Sequence, residues 1–515
     1  NAATINVNAG GVLGGSGVVA GRVQVVGGTL APGNSSGTLT IAGDLTLGPA
    51  STAAFELGQG GVAGGADNDL VKVGGNATLG GTARLTATGG GQVQSGYYNL
   101  MQVAGTVSGN FATVDAGTAT ANIYTTTVGG PFRVNTLVAN AGQSVQFWDG
   151  ADEVGVAGVA GGTGTFDAVR TNWTANPDGS DPLAPGGAGV NDHWREGVGV
   201  FAVAGGTVTT SGTLGFQGLQ FIVDGYTVNG PGTLNMTGDA PAGAPAASFI
   251  NVEGPGNTAT IDATISGNAG IGLSKAGAGT LVLTGANTYT GGTRLVGGTL
   301  SVSNDGNLGA ASGALTFDGG TLQNTAAMTS ARNITLDAGG GTFLTKASLA
   351  LSGTISGSGS LTKTGLGTLL FSGAGTYSGG MTVSAGILQL GDAADAGSIA
   401  GSVTVGTNGY VYLVNSTIPG VTTIGNSGFM VLSNASTLGS ATVSGNGGIE
   451  FLDTASAGTA QIAYSSMSSP LRFFNSSTAG HATITNSGFV QFSDSSTAGS
   501  AVIANSQGVG FFDTS

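Results

Sequence analysis

Residues 439–459 read GSATVSGNGGIEFLDTASAGT, and a unit of this kind recurs six times between Gly401 and Ser515. Each unit carries one marker glycine, with steps of 19, 19, 19, 22 and 19 residues, at Gly401, Gly420, Gly439, Gly458, Gly480 and Gly499. Three apolar series keep the same step: Val405, Ile424, Val443, Ile462, Ile484 and Ile503; Val411, Met430, Ile449, Leu471, Val490 and Val509; Leu413, Leu432, Phe451, Phe473, Phe492 and Phe511. The longer step comes from three extra residues within Ser465–Pro470, as expected for an insertion in a turn.

The last two apolar series lie two residues apart, and the residue between them varies freely: Tyr412, Val431, Glu450, Arg472, Gln491 and Gly510. Alternation with a period of two places one set of side chains inward and the other in solvent, which is typical of β-strands. A step of about twenty residues is too short for a pair of helices, so the repeat predicts coils of a parallel β-helix. One coil cannot be stable alone, because its few buried side chains give roughly 1.5–3 kcal/mol each, while ordering each backbone residue costs roughly 1–2 kcal/mol.

Composition limits the possible functions. Glycine accounts for 101 of 515 residues without a Gly-X-Y period, which excludes collagen, and an apolar content of 40% argues against disorder. With 7% charged residues and a net charge of −14, the chain has no basic patch for nucleic acid. It also has no apolar run of about 18 residues that could span a membrane as a helix. Cysteine is absent, which excludes disulfides, zinc–thiolate sites and thiol nucleophiles.

Changes in character divide the chain into four predicted segments. Residues 1–146 alternate β-branched runs with glycine pairs and are interpreted as the closing coils of one module. Residues 147–198 contain all three tryptophans and are predicted to form a Trp/acid-rich loop or cap. Residues 199–399 return to coils, and residues 400–515 are the 19-residue coils. We expect both ends to be cut from a longer chain, because solenoids need polar caps on their terminal strands.

A longer duplication overlies the third segment. GLSKAGAGTLVLTGANTYTGGT, from Gly272, aligns without gaps to SLTKTGLGTLLFSGAGTYSGGM, from Ser360, at an offset of 88 residues. The shared pattern K-x-G-x-G-T-L-x-[LF]-x-G-x-x-T-Y-[TS]-G-G resembles the passenger-associated transport repeat of autotransporters, the type V secretion systems of Gram-negative bacteria. GGTLAPGNSSGTLTIAGDLTL, at residues 27–47, is similar to another segment common in such passengers.

The resemblance covers most of the chain and implies an all-β fold, a right-handed parallel β-helix with coils of about 19–22 residues. It places the chain at the cell surface or in the extracellular space, anchored at or released from the outer membrane. The implied partner in export is the outer-membrane β-barrel of the same precursor, and we expect the sequence to be a fragment without the signal peptide and the barrel. The resemblance speaks to architecture and location more than to activity.

Two short motifs suggest chemistry that their context does not support. Gly33–Gly37 spells G-x-S-x-G, the nucleophile elbow of α/β-hydrolases, yet no helical pattern follows and the only histidines, His193 and His481, lie in distant coils. Residues 64–71 approach a calcium-binding nonapeptide, but calcium ladders require tandem copies and this one occurs once. Turns are favoured over a nucleophile and over an isolated calcium site. The sequence therefore predicts no catalytic residue, no cofactor and no metal.

A column of Asn and Asp follows the repeat, at Asn415, Asn434, Asp453, Asn475, Asp494 and Asp513. Adjacent coils lie about 4.8 Å apart, so two carboxyls of this column could approach the separation of roughly 5–5.5 Å found in retaining glycosidases. Because Asn replaces Asp freely, hydrogen-bonded turns stacked along the axis are the favoured interpretation. Glu450 and Arg472 share an outward column and are expected to form a surface ion pair.

The residues of segment 147–198 form the cluster for which ligand binding is considered. A carbohydrate platform, with carboxylates beneath stacked aromatic rings, is the functional alternative for Trp148, Trp173, Trp194, Asp149, Asp192 and His193. The favoured alternative is a small core that starts a module and leaves its charges in water.

These features predict a non-catalytic passenger that acts as an adhesin or a rigid display stalk through many weak, equivalent contacts. The expected partners are a host-cell, glycan or matrix surface, or further copies of the chain, and not nucleic acid. Two alternatives stay open. One is a self-assembling filament or matrix subunit, whose terminal coils pair end to end. The other is a polysaccharide-degrading enzyme on a β-helix, which needs convergent charged residues on neighbouring coils.

Overall fold

A computed structural model describes residues 3–60, 63–64, 68–126, 132–154, 159–175, 190–238, 246–418, 422–464 and 470–515. Over these residues the protein consists of β-strands and one 3-10 turn, Asp305–Leu308, and no helix there is long and apolar enough to cross a membrane. Most strands pair in parallel with strands one coil earlier and one coil later, so the parallel β-helix predicted from the repeat is confirmed.

The chain divides into two compact units, Asn1–Gly291 and Gly292–Ser515. The dividing position falls inside the predicted segment 199–399. The boundaries predicted at residues 146, 198 and 399 follow changes in sequence character, and they stay predictions.

The first part of unit 1 is a three-sided solenoid closed by antiparallel strands. Its first sheet contains Thr4–Val7, Arg22–Val25, Leu45–Leu47, Ala77–Leu79 and Val107–Gly109, and its second contains Val12–Gly15, Thr29–Pro32, Thr52–Leu57, Thr82–Ala87 and Thr113–Asp115. Its third sheet contains Gly17–Val19, Thr38–Ile41, Leu70–Val73, Gly96–Val103, Phe132–Ala139 and Thr120–Thr126. Phe132–Ala139 pairs antiparallel with both of its neighbours, which ends the parallel stack.

Several coils of unit 1 are larger than the predicted 19–22 residues. Leu45 pairs with Ala77, 32 positions later, and Thr52 pairs with Thr82, 30 positions later. The strand Thr52–Leu57 still alternates strictly between buried and half-buried side chains. The additional residues therefore lie between strands, where they lengthen a corner without moving the inward columns.

The second part of unit 1 begins at Val145 and has three further sheets. One contains Val190–Asp192, Trp173–Ala175, Val145–Trp148, Val198–Phe201, Gly218–Phe221, Ala247–Val252 and Gly272–Ala276. The others contain Gly164–Phe166, Thr207–Thr210, Tyr226–Asn229, Thr258–Ile261 and Thr280–Leu283, and Thr213–Phe216, Thr233–Met236 and Thr264–Gly267. Trp173–Ala175 pairs antiparallel with both of its neighbours.

The two parts of unit 1 pack side by side. An apolar cluster joins Tyr97 and Leu137 of the first part to Phe147, Val200 and Phe249 of the second. Polar contacts flank this cluster, since Gln220 accepts a hydrogen bond from the backbone N–H of Tyr97 at 3.0 Å. The half-buried ion pair Arg133–Glu253, at 2.7 Å, adds a further link.

Unit 2 continues the parallel arrangement. One group of strands is Thr293–Leu295, Leu315–Phe317, Ile334–Leu336 and Ile355–Gly357. The long group is Thr299–Val302, Thr321–Asn324, Met328–Ser330, Gly341–Thr345, Leu349–Leu351, Leu361–Thr364, Thr368–Phe371, Met381–Leu390, Val403–Val414, Thr423–Asn426, Phe429–Ser433, Thr442–Gly445, Gly448–Phe451, Gln461–Tyr464, Leu471–Phe473, Thr483–Asn486, Val490–Phe492, Val502–Asn505 and Val509–Phe511.

The predicted columns of the last coils are present. Phe451 pairs with Phe473, Phe473 with Phe492, and Phe492 with Phe511. Their rings stack with centroids 4.5, 4.7 and 5.0 Å apart and interplanar angles of 7°, 10° and 10°. The spacing is that of neighbouring strands in a sheet, so each ring occupies one coil.

One position in the first apolar series was wrong. Val403, not Val405, pairs with Ile424, and Val405 pairs with Asn426. The reason is that the strand Val403–Val414 has two more residues here than the next coil: residues 406–409 lie between the pairs Val405–Asn426 and Tyr410–Phe429, which only residues 427 and 428 separate in the next coil. This strand runs without interruption through a region where the later coils have two separate strands.

Candidate binding surfaces

The three tryptophans form an aromatic core in unit 1. Trp148 and Trp173 have no exposed surface and Trp194 is 7% exposed. Trp173 lies 5.2 Å from Trp148, 4.4 Å from Trp194 and 4.8 Å from Phe166, measured between ring centroids. The indole N–H of Trp148 donates to the carbonyl of Gly162 at 2.8 Å. Protein side chains therefore cover the indole faces, and none is presented as a flat surface for a sugar.

The acidic members of the predicted cluster differ in environment. Asp149 is buried, and its carboxylate accepts hydrogen bonds from the N–H of Ala160 at 2.6 Å and from the amide of Asn191 at 3.0 Å. Burial raises the pKa of Asp149 above its ordinary value, against the effect of these two bonds. Asp149 therefore acts as an acceptor that orders the surrounding loops.

Asp192 and His193 lie at the surface beside this core. Asp192 accepts hydrogen bonds from the backbone N–H of His193 and from the guanidinium of Arg195, and these contacts lower its pKa, the backbone bond most strongly. Ligand binding at Asp192 and His193 stays a prediction, now without exposed indoles to support it.

The G-x-S-x-G sequence forms a turn in which Gly33 has a φ of 79°. A buried carboxylate holds this turn, since Asp69 accepts hydrogen bonds from the N–H of Gly37 at 2.9 Å and of Glu56 at 2.8 Å. Burial raises the pKa of Asp69 to about 7 despite both bonds. The nonapeptide-like stretch lies partly outside the described residues, at 65–67, and over the described part of the chain no group of acidic and histidine side chains could hold a metal ion.

The column of Asn and Asp is a ladder of turns. All six of its members have φ between 49° and 61°. This left-handed region is one that Asn and Asp tolerate better than other residues with side chains. Side-chain oxygens of Asp453, Asn475 and Asp494 each accept a hydrogen bond from the backbone N–H of the previous member, at 2.9, 3.0 and 2.7 Å. The predicted turn structure is confirmed, and these oxygens link one coil to the next.

The two copies of the duplicated motif contain buried lysines whose role the sequence did not reveal. Neither Lys275 nor Lys363 has exposed surface. The Nζ of Lys363 donates to the carbonyls of Thr364, Gly365 and Ala385 at 3.1, 2.8 and 2.9 Å. Burial lowers the pKa of Lys275 to about 7 and that of Lys363 to about 8.

The pattern K-x-G explains this geometry. The lysine occupies an inward position of its strand, and the glycine two residues later has a positive φ, 76° for Gly277 and 78° for Gly365. This backbone conformation directs the carbonyls of the turn toward Nζ. Lys275 Nζ likewise donates to the carbonyls of Ala276, at 2.6 Å, and of Gly277, at 3.0 Å. A lysine at an inward position of an alternating strand, with a glycine two residues later, is the sequence signal that could have predicted the buried ammonium.

The last coils of unit 2 have two outward faces of different chemistry. The first, here named the polar face, carries Thr423, Gly425, Thr442, Ser444, Gln461, Ala463, Thr483 and Thr485. These residues are small or polar, and six of the eight are exposed. In the last coil the same columns continue with Val502, which is 67% exposed, and Ala504.

The second, here named the aromatic face, lies on the adjacent strands of the same coils. Its positions within paired strands are Tyr410, Tyr412, Val414, Phe429, Val431, Ser433, Gly448, Glu450, Arg472, Gln491 and Gly510. The flanking residues are Leu452, Pro470, Phe474, Phe489, Ser493, Gly508 and Phe512, and Val431, Gly448 and Ser493 are buried. Tyr410, Phe489 and Phe512 are 45%, 37% and 49% exposed. The predicted ion pair is formed on this face, with 3.2 Å between Arg472 Nη1 and Glu450 Oε1.

A groove of about 560 Å³ lies beside the 3-10 turn of unit 2, between Asn304–Gly306 and the residues Met328, Thr329 and Ala350. Arg332, nearly buried, fixes this turn through two bonds to the carboxylate of Asp305, at 2.9 and 3.0 Å. The groove is wide open and Asp305 is the one charged group of its lining. No catalytic pairing of charged groups is therefore built there.

Comparison with known proteins gives a consistent result. The family described as Passenger-associated-transport-repeat matches residues 273–302 and 361–390. The chain is 40% identical over 392 residues, 74% of its length, to a protein of Brucella suis biovar 1 (strain 1330) named "Adhesin BmaC autotransporter". The match covers 11% of that relative's length. No solved structure matches the chain.

Proposed function

Because the chain belongs to the autotransporter passengers that carry passenger-associated transport repeats, we propose that it is a non-catalytic adhesive segment that binds through its polar face. Such passengers are located at the surface of Gram-negative bacteria, associated with the outer membrane. The relative in Brucella suis is named an adhesin, which supports the same role here.

The observation that carries the proposal is the repetition of the polar face. Thr423, Thr442, Gln461 and Thr483 follow one another in register on successive coils, so neighbouring side chains lie about 4.8 Å apart. The three threonines each offer a hydroxyl and Gln461 offers a carboxamide, so every coil presents a small hydrogen-bonding side chain at this position. Weak equivalent contacts in such a row add up when many copies are displayed together, because linked binding events raise the effective concentration. A glycan or matrix surface with its own repeat is the partner that this arrangement fits.

The experiment measures binding of the whole 515-residue chain to a glycan array and to cultured epithelial cells, once as free protein and once coupled densely to beads. We expect dense display to increase apparent affinity at least about a hundredfold. The double substitution Thr442→Arg and Thr483→Arg should abolish bead binding. Tight binding by the free chain that does not depend on display density would contradict the proposal.

Catalysis on the same scaffold is tested with neutral and acidic polysaccharides. We expect no shortened products, because in the described part of the chain the exposed acidic groups are dispersed and many are tied in ion pairs or turns. Shortened products that disappear with Asp192→Asn would establish an enzyme instead.

A further inference from the structure

We propose that the groove beside the 3-10 turn of unit 2 is a binding site for the end of a neutral oligosaccharide. The groove has a volume of about 560 Å³ and is lined by residues 304–306 and 327–329, Ser348 and Ala350. Its volume is within the range of roughly 300–1,000 Å³ that is usual for small-molecule sites. This inference goes beyond the adhesive role, because the groove lies on other coils than the polar face and does not use a repeated row.

The 3-10 turn occupies the place that a strand has in the following coil. Thr299–Val302 pairs with Thr321–Asn324, 22 positions later. The same step back from Met328–Ser330 leads to residues 306–308, which belong to the turn Asp305–Leu308. The turn contacts this strand. The groove is therefore the space between a turn and the first strand of a stack.

A buried arginine fixes the turn that forms this wall. The guanidinium of Arg332, which is 3% exposed, donates from Nε and Nη2 to the carboxylate of Asp305. Its Nη1 and Nη2 also donate to four backbone carbonyls, those of Asp305, Gly309, Ala310 and Gly313. Every guanidinium nitrogen is thus engaged, as a buried charge requires. A wall held in this way keeps its shape when a ligand binds, which lowers the entropic cost of binding.

The charges of the site favour an uncharged ligand. Asp305 is the one charged group of the lining, and Arg332 already compensates its carboxylate through two bonds. An anionic ligand would meet a carboxylate with no cation in the lining to balance it. A cationic ligand would have to compete with a guanidinium that is already in place. A neutral ligand meets neither difficulty.

The polar groups of the lining are suited to hydroxyl groups. Thr329 and Ser348 are exposed, and their hydroxyls have no hydrogen-bond partner among the described residues. The exposed Asn304 adds a carboxamide. Hydroxyls and carboxamides both donate and accept hydrogen bonds, as the hydroxyls of a sugar also do. The methyl groups of Ala327 and Ala350 offer an apolar surface for the C–H groups of the sugar ring.

An extended peptide is the alternative occupant, and the edge of the strand argues against it. The N–H of Met328 donates to the carbonyl of Ser348 in the next coil. Successive residues of a parallel strand bond alternately to its two neighbours, so Thr329 is the residue of Met328–Ser330 whose N–H and C=O point toward the groove. Main-chain bonds supply the affinity when a peptide adds to a sheet. One residue supplies at most two such bonds, which is too few for a strand and enough for two hydroxyls.

The test records saturation-transfer NMR spectra of the whole 515-residue chain with chitotriose, cellotriose and maltotriose as neutral probes. We expect transfer to at least one of them. Sialyllactose, which carries a carboxylate, and a capped alanine tripeptide are the comparison probes and should bind more weakly. The absence of transfer to all three neutral probes would overturn the proposal. Stronger binding of sialyllactose or of the peptide would overturn the assigned class of ligand.

The position of the site is tested by filling the groove. Ala350→Tyr adds a ring at an outward position, and the fold accepts one in this column, because the column continues through Leu370 and Gln389 to Tyr412. This variant should weaken binding of the neutral probe at least about tenfold, a large loss for a weak ligand. Gln389→Tyr makes a similar change two coils further on, outside the lining, and is the matched control that should bind normally. Unchanged binding by Ala350→Tyr would overturn the site.

Recognition of hydroxyl groups is tested separately from shape. The double substitution Thr329→Val and Ser348→Ala removes both exposed hydroxyls and nearly keeps the volume of the groove. It should weaken binding about tenfold, as expected for the loss of one or two hydrogen bonds. Binding equal to that of the unchanged chain would contradict recognition of a sugar by these side chains.

This site and the polar face can fail independently. Thr442→Arg with Thr483→Arg should leave binding of the neutral trisaccharide by the free chain unchanged, and Ala350→Tyr should leave adhesion of densely coupled beads to cells unchanged. Loss of trisaccharide binding in the polar-face variant would place the sugar on the polar face and overturn the groove as its site.

Discussion

The two aromatic clusters of the molecule are built in opposite ways. The rings around Trp173 in unit 1 meet edge to face or tilted, at interplanar angles from 43° to 78°. The rings of Phe451, Phe473, Phe492 and Phe511 in unit 2 stack nearly parallel, one per coil. The first cluster is assembled once from strands of very different spacing, whereas the second repeats one geometry. We therefore expect the substitution of one ring to destabilise the whole of the first cluster, but only the neighbouring coils of the second.

The largest effect is expected from Trp173→Ala. Trp173 has no exposed surface and lies among four other aromatic rings, so its removal leaves a cavity that no repeat can refill. The cost should be near the upper end of about 3–5 kcal/mol. All tryptophans belong to unit 1, so tryptophan fluorescence during denaturant unfolding measures the free energy of unfolding of this unit.

Phe201→Leu, in the same core, is the matched milder change and should cost less than half as much. A loss below about 1 kcal/mol for Trp173→Ala would show that this core is not the centre of unit 1 stability.

Phe473→Ala is expected to have a smaller and more local effect, about 3 kcal/mol. Phe451 and Phe492 remain on either side of the gap, and in a solenoid each coil contacts only its neighbours. Hydrogen exchange read by mass spectrometry should therefore accelerate in residues 442–464 and 483–505, with no change in tryptophan fluorescence. Phe473→Leu is the control, because leucine already occupies this column at Leu413 and Leu432, and it should change exchange little. Faster exchange throughout unit 2 would contradict nearest-neighbour behaviour.

The same difference explains how far the sequence could be interpreted. Columns in the last coils of unit 2 were predicted because four of their five steps are 19 residues, and so regular a step can be detected without knowing the structure of any corner. The shift from Val405 to Val403 was missed because two extra residues between Val405 and Tyr410 change the register, while both valines remain apolar residues two positions apart. In unit 1 the corners vary in length, so the alternation of strands was visible while their pairing was not.

Prediction of the candidate site was limited in the same way. The tryptophans were recognised as a cluster from their position in the sequence, but whether their faces are open depends on Phe166 and Phe201, which pack against them from other strands. The aromatic face was not foreseen because its residues lie in the freely varying columns.

An intermediate effect is expected from Lys363→Met, which keeps the length of the side chain and removes the donor. Three carbonyls then lose a buried partner, partly offset because no charge has to be buried, and the net cost at pH 7 should be about 1–3 kcal/mol. Hydrogen exchange in residues 381–390 measures the effect. Lys346→Met, at an exposed position of the same unit, should have none.

The pH dependence of the free energy of unfolding, compared between the wild-type chain and Lys363→Met, distinguishes the effect of the ammonium charge from that of side-chain packing. The folded pKa of Lys363, about 8, lies below the unfolded value of about 10.4. Between these values the unfolded chain binds more protons, so this lysine makes unit 2 more stable as the pH rises from 8 toward 10. The Met variant should lack that rise. An identical pH profile for both chains would show that the folded pKa is not lowered.

The smallest effect is expected at Asn475, and it tests whether the ladder or the backbone conformation stabilises the repeat. Asn475→Ala loses the bond that its oxygen accepts from Asp453 N–H and places alanine at a φ of 56°. The cost should be about 1–2 kcal/mol. Asn475→Gly loses the same bond but tolerates the conformation, so it should cost about half as much. Equal losses of stability in the Ala and Gly variants would assign the effect to the hydrogen bond alone. A Gly variant as stable as the wild type would assign it to the backbone conformation. Hydrogen exchange of the N–H of Asp453 reports on this bond directly, because that N–H is its donor. The ladder repeats in every coil, so the same comparison can be made at one coil at a time.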